Sequence, residues 1–375
     1  MKVEDFVYGL HKTGIETITG IPDSTLNQFC DYIEHDGKDS FRTHIVAENE
    51  GGAVGIAIGE YLATGKAACV YMQNSGLGNV INPITSLAHR EVYGIPMLFL
   101  IGWRGEPGVK DEPQHKFMGR LTAGILELLE IDYAVIDAGT TQKELEIILE
   151  KAQDNFSVNK QFAIVIRKGT FDKRESGAYE NMHSLTREKA IQEIVKWLQP
   201  DDLIVSTTGK ISRELYEQMD LIKGDHKQVF LTVGGMGHAS MIAYGIAQRR
   251  KKQRVICLDG DGAVLMHMGG LAVIGRHPLD NLIHICMDNE AHESVGGMPT
   301  GAAGLEYYKI AQDSGYPCVY MVSPKEDLNW TLGEVRKSKK LSFIQVKVAI
   351  GSRKNLTRPK ESPDENKKAF MDMME

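Results

Sequence analysis

The sequence lacks the features that mark several large classes of protein. Its 375 residues carry a formal net charge of −7, which argues against a nucleic-acid-binding surface. No apolar stretch is long enough to span a membrane, and the first residues contain no apolar signal-peptide region. The five cysteines form no C-x-x-C pair, and most of them lie in or beside apolar segments. We therefore expect a cytoplasmic protein with buried, reduced thiols.

Some common site motifs are also missing. No His and Cys residues have the spacing of a zinc site, and no G-x-G-x-x-G follows a predicted strand, as nicotinamide binding would require. Thr208-Gly209-Lys210 is similar to part of a phosphate loop, but Ile204 and Ile211 occupy the positions of its first glycine and its Ser/Thr. The chemistry must therefore depend on other residues.

Apolar, strand-like runs alternate with helix-length segments along the chain, which predicts two α/β layers with largely parallel sheets. The length allows about two domains. Residues 168–184 are polar and charged and are predicted to form an inter-domain linker. The tail from Gly351 is predicted to be a surface extension that docks on a neighbour. The predicted strands are 67–72, 97–101, 162–166, 203–206, 255–258, 282–287, 319–322 and 343–348.

Two short polar segments follow neighbouring apolar runs in the second half. Asp-Gly-Asp-Gly at 259–262 ends one run, Asp-Asn at 288–289 ends the next, and a segment of helical length, 263–275, lies between them. This order predicts a strand, a tight turn, a helix and a strand. Both polar segments then lie at one edge of a parallel sheet, where ligands bind. Their carboxylate and amide oxygens suit a Mg²⁺ ion that also holds a diphosphate.

This pattern resembles the diphosphate-binding signature of thiamine-diphosphate-dependent enzymes, in which a Gly-Asp-Gly precedes an Asn by one helix and one strand. The resemblance implies that Asp261 and Asn289 bind Mg²⁺ through their side chains and that Ala291 binds it through its backbone carbonyl. Gly260 and Gly262 would let the backbone turn sharply and approach the phosphates. The family often has Asn immediately before the ligand Asn, whereas this chain has an Asp at 288.

A second constellation lies in the first half. Glu50 precedes a predicted small-residue helix, 54–63, that ends at Thr64-Gly65. In the same family a Glu begins such a helix and hydrogen-bonds N1′ of the aminopyrimidine, which favours formation of the reactive ylid. Counting back from Thr64-Gly65 without gaps selects Glu50 rather than Glu48. Alternatively, Glu50 is only a helix N-terminal acid that stabilises the helix dipole.

A glycine-rich segment, 234–237, opens a further predicted helix. Family members commonly carry a glycine, a variable residue, an apolar residue and a glycine here, and the apolar side chain holds the cofactor bent. The resemblance places Gly235 and Met236 at this cofactor-binding position. Alternatively, Met236 lies in the core beside an ordinary glycine-rich turn.

The resemblance implies an α/β fold of two doubly wound thiamine-diphosphate-binding domains. The pyrimidine-binding half would span 1–175, the diphosphate- and Mg²⁺-binding half 185–350, and a C-terminal extension 351–375. Residues 95–195 must also complete the first sheet, so there is no room for a middle domain. In this superfamily the cofactor lies between halves of different chains. Glu50 and Asp261 would therefore act across a subunit interface of a homo-oligomer, at least a dimer.

Several segments resemble the phosphonopyruvate decarboxylases of this family and, less closely, the sulfopyruvate decarboxylases. They are residues 20–26, 73–79, 102–108, 111–115, 207–215 and 290–297. The resemblance implies a decarboxylase of a small 2-oxo acid that bears a phosphonate, with an enamine intermediate and with CO₂ and phosphonoacetaldehyde as products. Sulfopyruvate decarboxylation, carboligation to a second aldehyde and a non-catalytic cofactor-binding role are the alternatives.

The substrate carries a carboxylate that leaves and a phosphonate that stays. The candidate substrate-binding residues are Asp23, Ser24, Asn74, Arg104, Gln114 and His292. His115 is the candidate catalytic proton donor or oxyanion partner, and the alternative is that it is a surface residue. Arg104 and Lys110 could pair with the phosphonate or be solvated loop charges. His292 and Glu293 could face the reacting carbon or only the surface.

Overall fold

The computed structural model of the chain describes residues 1–174, 179–301 and 303–374. The chain divides into two compact units, Met1–Ala178 and Tyr179–Glu375. In the described residues each unit contains one six-stranded sheet, and all pairs of neighbouring strands are parallel. No helix in the same residues is both apolar enough and long enough to cross a bilayer.

The sheet of the first unit has the strand order β2-β1-β3-β4-β6-β5. Its central strands β3 and β4 are continuous apolar runs because helices cover both faces of a parallel sheet. The strands are β1 (Thr17–Gly20), β2 (Thr43–Val46), β3 (Ala68–Gln73), β4 (Met97–Gly102), β5 (Asp132–Ile136) and β6 (Phe162–Ile166). The helices are α1 (Val3–Lys12), α2 (Asn27–Glu34), α3 (Glu50–Thr64), α4 (Leu77–Pro83), α5 (Pro113–Leu128) and α6 (Gln142–Ser157), with shorter helical turns at Asn74–Gly76 and Ile84–Ala88.

The sheet of the second unit has the order β11-β12-β10-β9-β7-β8. Alternate residues of its strands enter separate apolar clusters on the two faces, for example Leu258 on one and Cys257 on the other, so the sheet is doubly wound. The strands are β7 (Leu203–Ser206), β8 (Val229–Leu231), β9 (Val255–Gly260), β10 (Leu282–Asp288), β11 (Cys318–Val322) and β12 (Ser342–Lys347). The helices are α7 (Arg187–Trp197), α8 (Lys210–Lys223), α9 (Ala239–Arg249), α10 (Asp261–Met266), α11 (Gly269–Arg276), α12 (Tyr307–Asp313), α13 (Lys325–Ser338) and α14 (Pro363–Asp372), with a 3₁₀ turn at Glu293–Val295.

Every strand predicted from an apolar run is present, with its bounds shifted by one or two residues at most. The predicted strand ranges did not include β2, β5 and β8, which lie at sheet edges, or β1, which is short and half threonine. Edge strands need less apolar surface because only part of each strand is covered.

The single helix predicted over 263–275 is wrong. The chain forms α10 and α11 instead, and the break falls at His267, which has φ −133° and ψ 45°. A Cβ atom at Gly237 would lie 2.5 Å from Cδ2 of His267, so the broken helix brings this ring against the glycine-rich loop.

The C-terminal extension contains helix α14, which packs on strand β8 of its own unit. Asn366 Nδ2 donates to the Val229 carbonyl at 2.8 Å, and the Leu231 amide donates to Asn366 Oδ1 at 3.0 Å. Phe370 is 3% exposed and lies beside Phe230. The helix thus covers an edge strand whose backbone groups would otherwise be open.

The predicted linker is partly anchored. Residues 175–178 of it lie outside the described residues. On one side Phe171 packs against Phe6 and Phe29 of the first unit. On the other side Asn181 Nδ2 donates to the carbonyls of Asn289 and Val348 at 3.0 Å each, within the second unit.

Candidate active site

Asp261 and Asn289 lie at the carboxyl ends of the adjacent parallel strands β9 and β10, where Gly260 is in register with Met287. Both side chains are buried, with 3% and 4% of their residue surface exposed. Asp261 Oδ2 accepts a hydrogen bond from Thr300 Oγ1 at 2.9 Å. Burial and the nearby charge of Asp288 raise the pKa of Asp261 to about 7. A carboxylate in such a site gains strongly from a bound cation.

The loop after β10 folds back toward Asp261. Ala291 pairs with Pro299 in an antiparallel bridge, and the Thr300 amide donates to the Glu290 carbonyl at 2.9 Å. Glu290 has φ 62°, an unfavourable conformation for a residue with a Cβ atom, which the surrounding contacts must stabilise. The carboxylate and amide oxygens at this sheet edge, with a buried backbone turn beside them, form a donor set that fits a hard divalent cation.

Asp288 stands where thiamine-diphosphate-dependent enzymes often have Asn, and its carboxylate has hydrogen-bond partners on the neighbouring strand β12. Its residue is fully buried, and Oδ2 accepts hydrogen bonds from Lys347 Nζ at 2.8 Å and Gln345 Nε2 at 2.6 Å. Lys347 also contacts Glu290 Oε1 at 2.8 Å. The substituted acid is therefore neutralised by a lysine on β12.

His292 and Glu293 follow the same loop, and neither is a solvated surface group. A Cβ atom at Gly262 would lie 3.1 Å from the His292 ring, so glycine allows the two segments to approach. Burial lowers the pKa of His292 to about 4, and its imidazole is therefore neutral near pH 7. Glu293 is buried in a cluster of charged side chains and hydrogen-bonds to Asn289.

The glycine-rich loop before α9 needs its glycines, since Gly235 has φ 66° and Gly237 has φ 84°. Met236 is only half-buried, so it does not serve as an ordinary core residue. Nδ1 of His238 lies 3.1 Å from the Gly235 carbonyl and 3.2 Å from the Met236 carbonyl.

Glu50 is the first residue of α3, and its side chain is buried, whereas Glu48 is exposed. Glu50 Oε2 accepts a hydrogen bond from Asn79 Nδ2 at 2.6 Å. A Cβ atom at Gly76 would lie 2.4 Å from Glu50 Oε1, so this glycine makes room for the carboxylate. A helix N-terminal acid with only a dipole role has no need to be enclosed in this way.

Most of the substrate candidates gather at the carboxyl edge of the first unit's sheet, in the loops after β1, β3 and β4. Arg104 donates from Nε to Asp111 Oδ2 at 2.8 Å and from Nη1 to Ser24 Oγ at 2.7 Å. Asn74 Oδ1 accepts from the Arg104 amide at 3.1 Å. Arg104 is thus a fixed, half-buried cation, unlike Lys110, which is exposed.

Asp23 is fully buried below this edge, and burial raises its pKa. The Thr25 amide donates to its Oδ2 at 2.8 Å, but Oδ1 has no hydrogen-bond partner. Gln114 and His115 lie in the first turn of α5 and are half-buried. Burial, and then the charge of Arg104, lower the pKa of His115, so its imidazole is neutral near pH 7.

The structure adds residues that sequence reasoning did not select. They share direct contacts with the candidate residues, and they are Asn79, Asp111, Arg187, Lys210, Thr300 and Lys347. Asp111 lies only seven positions from Arg104, so opposite charges within one loop could have indicated that pair. The others are distant in sequence from their partners and carry no local signal.

Comparison with known proteins identifies the family. Residues 1–126 match the family described as thiamine pyrophosphate enzyme, N-terminal TPP binding domain, and residues 208–346 match its C-terminal TPP binding domain. A phosphonopyruvate decarboxylase of Streptomyces viridochromogenes is 33% identical, covering 98% of this chain and 93% of the relative. A phosphonopyruvate decarboxylase of Streptomyces hygroscopicus is 31% identical, covering 99% of this chain and 93% of the relative. A sulfopyruvate decarboxylase of Methanosarcina acetivorans is 28% identical, covering 98% of this chain and 96% of the relative.

The two family matches fall on the two sheets, and the residues between them contribute β5, β6 and β7 to those same sheets. The described residues therefore contain no third, middle domain. With similarity to the Streptomyces proteins along nearly its whole length, the chain belongs to the phosphonopyruvate decarboxylase family of thiamine pyrophosphate enzymes.

Proposed function

We propose that this chain decarboxylates phosphonopyruvate to phosphonoacetaldehyde and CO₂, with thiamine diphosphate and Mg²⁺ as cofactors. The observation that carries the proposal is the 33% identity to the Streptomyces viridochromogenes phosphonopyruvate decarboxylase over 98% of this chain. The more distant sulfopyruvate decarboxylase, at 28%, supports the same chemistry with a related anion. In the net reaction a proton replaces the carboxylate on the former keto carbon, and the C–P bond is kept.

Bound thiamine diphosphate supplies the nucleophilic carbon and the electron sink for loss of CO₂. Asp261 and Asn289 hold the Mg²⁺ ion through side-chain oxygens, and Ala291 adds its backbone carbonyl. This assignment rests on the burial of both side chains at adjacent strand ends and on the raised pKa of Asp261. Gly260 and Gly262 keep this edge free of side chains where the diphosphate approaches.

Glu50 exchanges a proton with N1′ of the aminopyrimidine. The hydrogen bond from Asn79 fixes one carboxylate oxygen, and the packing over Gly76 restricts the other. A buried and oriented carboxylate is more effective in such a contact than a solvated one, because water does not compete for it. Met236 and Gly235 form the surface on which the cofactor rests.

The substrate anion lies near Arg104 and Ser24, with His115 as the group that gives or takes a proton. The Asp111 carboxylate accepts hydrogen bonds from Nε and Nη2 of Arg104 and so fixes the plane of the guanidinium. The N–H groups that remain can then donate to a phosphonate. Asp23, Asn74, Gln114 and His292 are further candidates for substrate contact.

We also propose a homo-oligomer, at least a dimer, in which Glu50 of one copy acts together with Asp261 of another. The exposed face of α3 supports close packing of a second copy, since Cβ atoms at Gly55 and Gly59 would meet no other atom within 4 Å. Mixing Glu50→Gln and Asp261→Ala chains tests this arrangement. Shared sites would restore activity in the mixture, whereas sites built within one chain would leave every combination inactive.

The first experiment is CO₂ release from phosphonopyruvate, sulfopyruvate and pyruvate, each with and without thiamine diphosphate and Mg²⁺. We expect cofactor-dependent turnover that is selective for phosphonopyruvate. Selectivity for sulfopyruvate would overturn the proposed substrate but keep the chemistry. Cofactor binding without turnover of any of the three would overturn the proposed decarboxylation.

A further inference from the structure

A group of buried charges surrounds Glu293 in the second unit. Arg187, at the start of α7, makes a two-pronged contact with Glu214, from Nε to Oε2 at 2.7 Å and from Nη2 to Oε1 at 2.9 Å. The same guanidinium donates from Nη1 to Glu293 Oε2 at 2.5 Å. Lys210 Nζ donates to Glu293 Oε1 at 2.9 Å. The two positive and two negative charges of this group therefore cancel. The side chains of Arg187, Glu214 and Glu293 are at most 8% exposed.

This charged group contacts Asn289, the proposed metal ligand, through one carboxylate oxygen of Glu293. Nδ2 of Asn289 donates to Glu293 Oε2 at 2.9 Å, the same oxygen that Arg187 contacts. A carboxylate accepts hydrogen bonds but donates none, so Glu293 binds the amide nitrogen of Asn289 and repels its amide oxygen. The contact decides which end of the amide turns away from Glu293.

We infer that Glu293 is a positioning residue that orients the amide of Asn289, so that the oxygen and not the nitrogen is presented to the metal ion. Arg187 and Lys210 hold Glu293 in place from two sides, and Glu214 holds Arg187. An amide nitrogen cannot coordinate a hard cation, whereas the oxygen is a good ligand. The inference rests on the proposed role of Asn289 as a Mg²⁺ ligand.

Such outer partners of metal ligands commonly change metal affinity without touching the ion. Removal of the Glu293 carboxylate would leave the Asn289 amide oriented only by the hydrogen bond that its Oδ1 accepts from the Ala291 amide at 3.2 Å. The apparent Mg²⁺ affinity should then fall by about 10- to 100-fold. Arg187 keeps its contact with Glu214, so the fold retains a partner for the buried cation.

The test is the apparent Kd for Mg²⁺ at saturating thiamine diphosphate, measured calorimetrically on the full chain without substrate. The variants are Glu293→Ala and the isosteric Glu293→Gln, which retains one acceptor oxygen and should weaken Mg²⁺ binding less. The matched control is Asp202→Asn, which breaks another buried ion pair of the same unit, with Arg254, away from this loop. We expect weaker Mg²⁺ binding in both Glu293 variants and an unchanged Kd in the control.

A double-mutant cycle separates positioning from general loss of stability. If Glu293 acts through Asn289, adding Glu293→Ala to Asn289→Ala should weaken Mg²⁺ binding no further. Full additivity, or wild-type affinity in both Glu293 variants, would overturn the inference. An unchanged Kd in Asn289→Ala alone would instead overturn the proposed metal role on which the inference rests.

Discussion

Asp288 and Lys347 face each other in register across the parallel strands β10 and β12, with Lys347 Nζ 2.8 Å from Asp288 Oδ2. This pairing places an ion pair directly before Asn289. An acid at position 288 can thus stand beside a proposed cation site because its charge is already matched by the lysine.

Lys347→Met should destabilise the second unit by about 3 to 5 kcal/mol, since it leaves the buried Asp288 carboxylate without a charged partner. Adding Asp288→Asn should recover most of that loss, because Gln345 can still reach position 288. Urea unfolding of the cofactor-free chain measures both effects. Equal stability of the single and double variants would contradict the pairing argument.

Glu50→Gln should lower kcat by about 10²- to 10⁴-fold, the usual contribution of a positioned proton-transfer group. Binding of Mg²⁺ and diphosphate should stay near wild type, because Glu50 lies in the other unit from Asp261. Steady-state CO₂ release and calorimetric binding provide the two measurements. Glu48→Gln is the matched control, since Glu48 is an exposed acid two positions away and should keep full activity.

Asp23→Asn should stabilise the protein more at pH 8 than at pH 4. Burial raises the folded pKa of Asp23 above its usual value of 3.8, so the carboxyl lowers stability progressively as pH rises from about 4 toward the folded pKa. Asparagine cannot ionise and keeps the acceptor for the Thr25 amide. Thermal unfolding at both pH values gives the comparison, and a stability gain that does not depend on pH would contradict this account.

Arg104→Lys should raise KM for phosphonopyruvate by about 10- to 100-fold, because lysine lacks the planar fork that Asp111 holds in place. The exposed Lys110→Gln removes a cation from the same loop and should change KM little. An unchanged KM in Arg104→Lys together with a raised KM in Lys110→Gln would mean that the loop acts only through its overall charge. Measurements at two ionic strengths would separate that screened effect from a direct contact.

The apolar runs and the polar segments that follow them were enough to predict two α/β layers with parallel sheets and a common sheet edge for residues 259–262 and 288–289. These signals are local: a buried parallel strand is a continuous apolar run, and a glycine-rich turn follows it directly. The candidate positions 50, 261 and 289 could also be selected from the sequence, because each lies beside glycines or at the end of an apolar run. The edge strands β2, β5 and β8, the short strand β1 and the break in the helix at His267 were missed, since short or edge strands bury less apolar surface and a break inside a helix leaves no local apolar signal.

The sequence by itself determined the fold class, the family resemblance and the residues proposed to meet the cofactor. Only the tertiary structure decided how those residues are held: Lys347 beside Asp288, Glu293 beside Asn289, Asn79 on Glu50 and Asp111 on Arg104. The physical reason is that Lys347 and Asn79 come from a different strand and helix than their partners, while Glu293 and Asp111 meet theirs only because a loop folds back on itself. Their hydrogen bonds depend on distances in space, which neither spacing along the chain nor residue composition specifies.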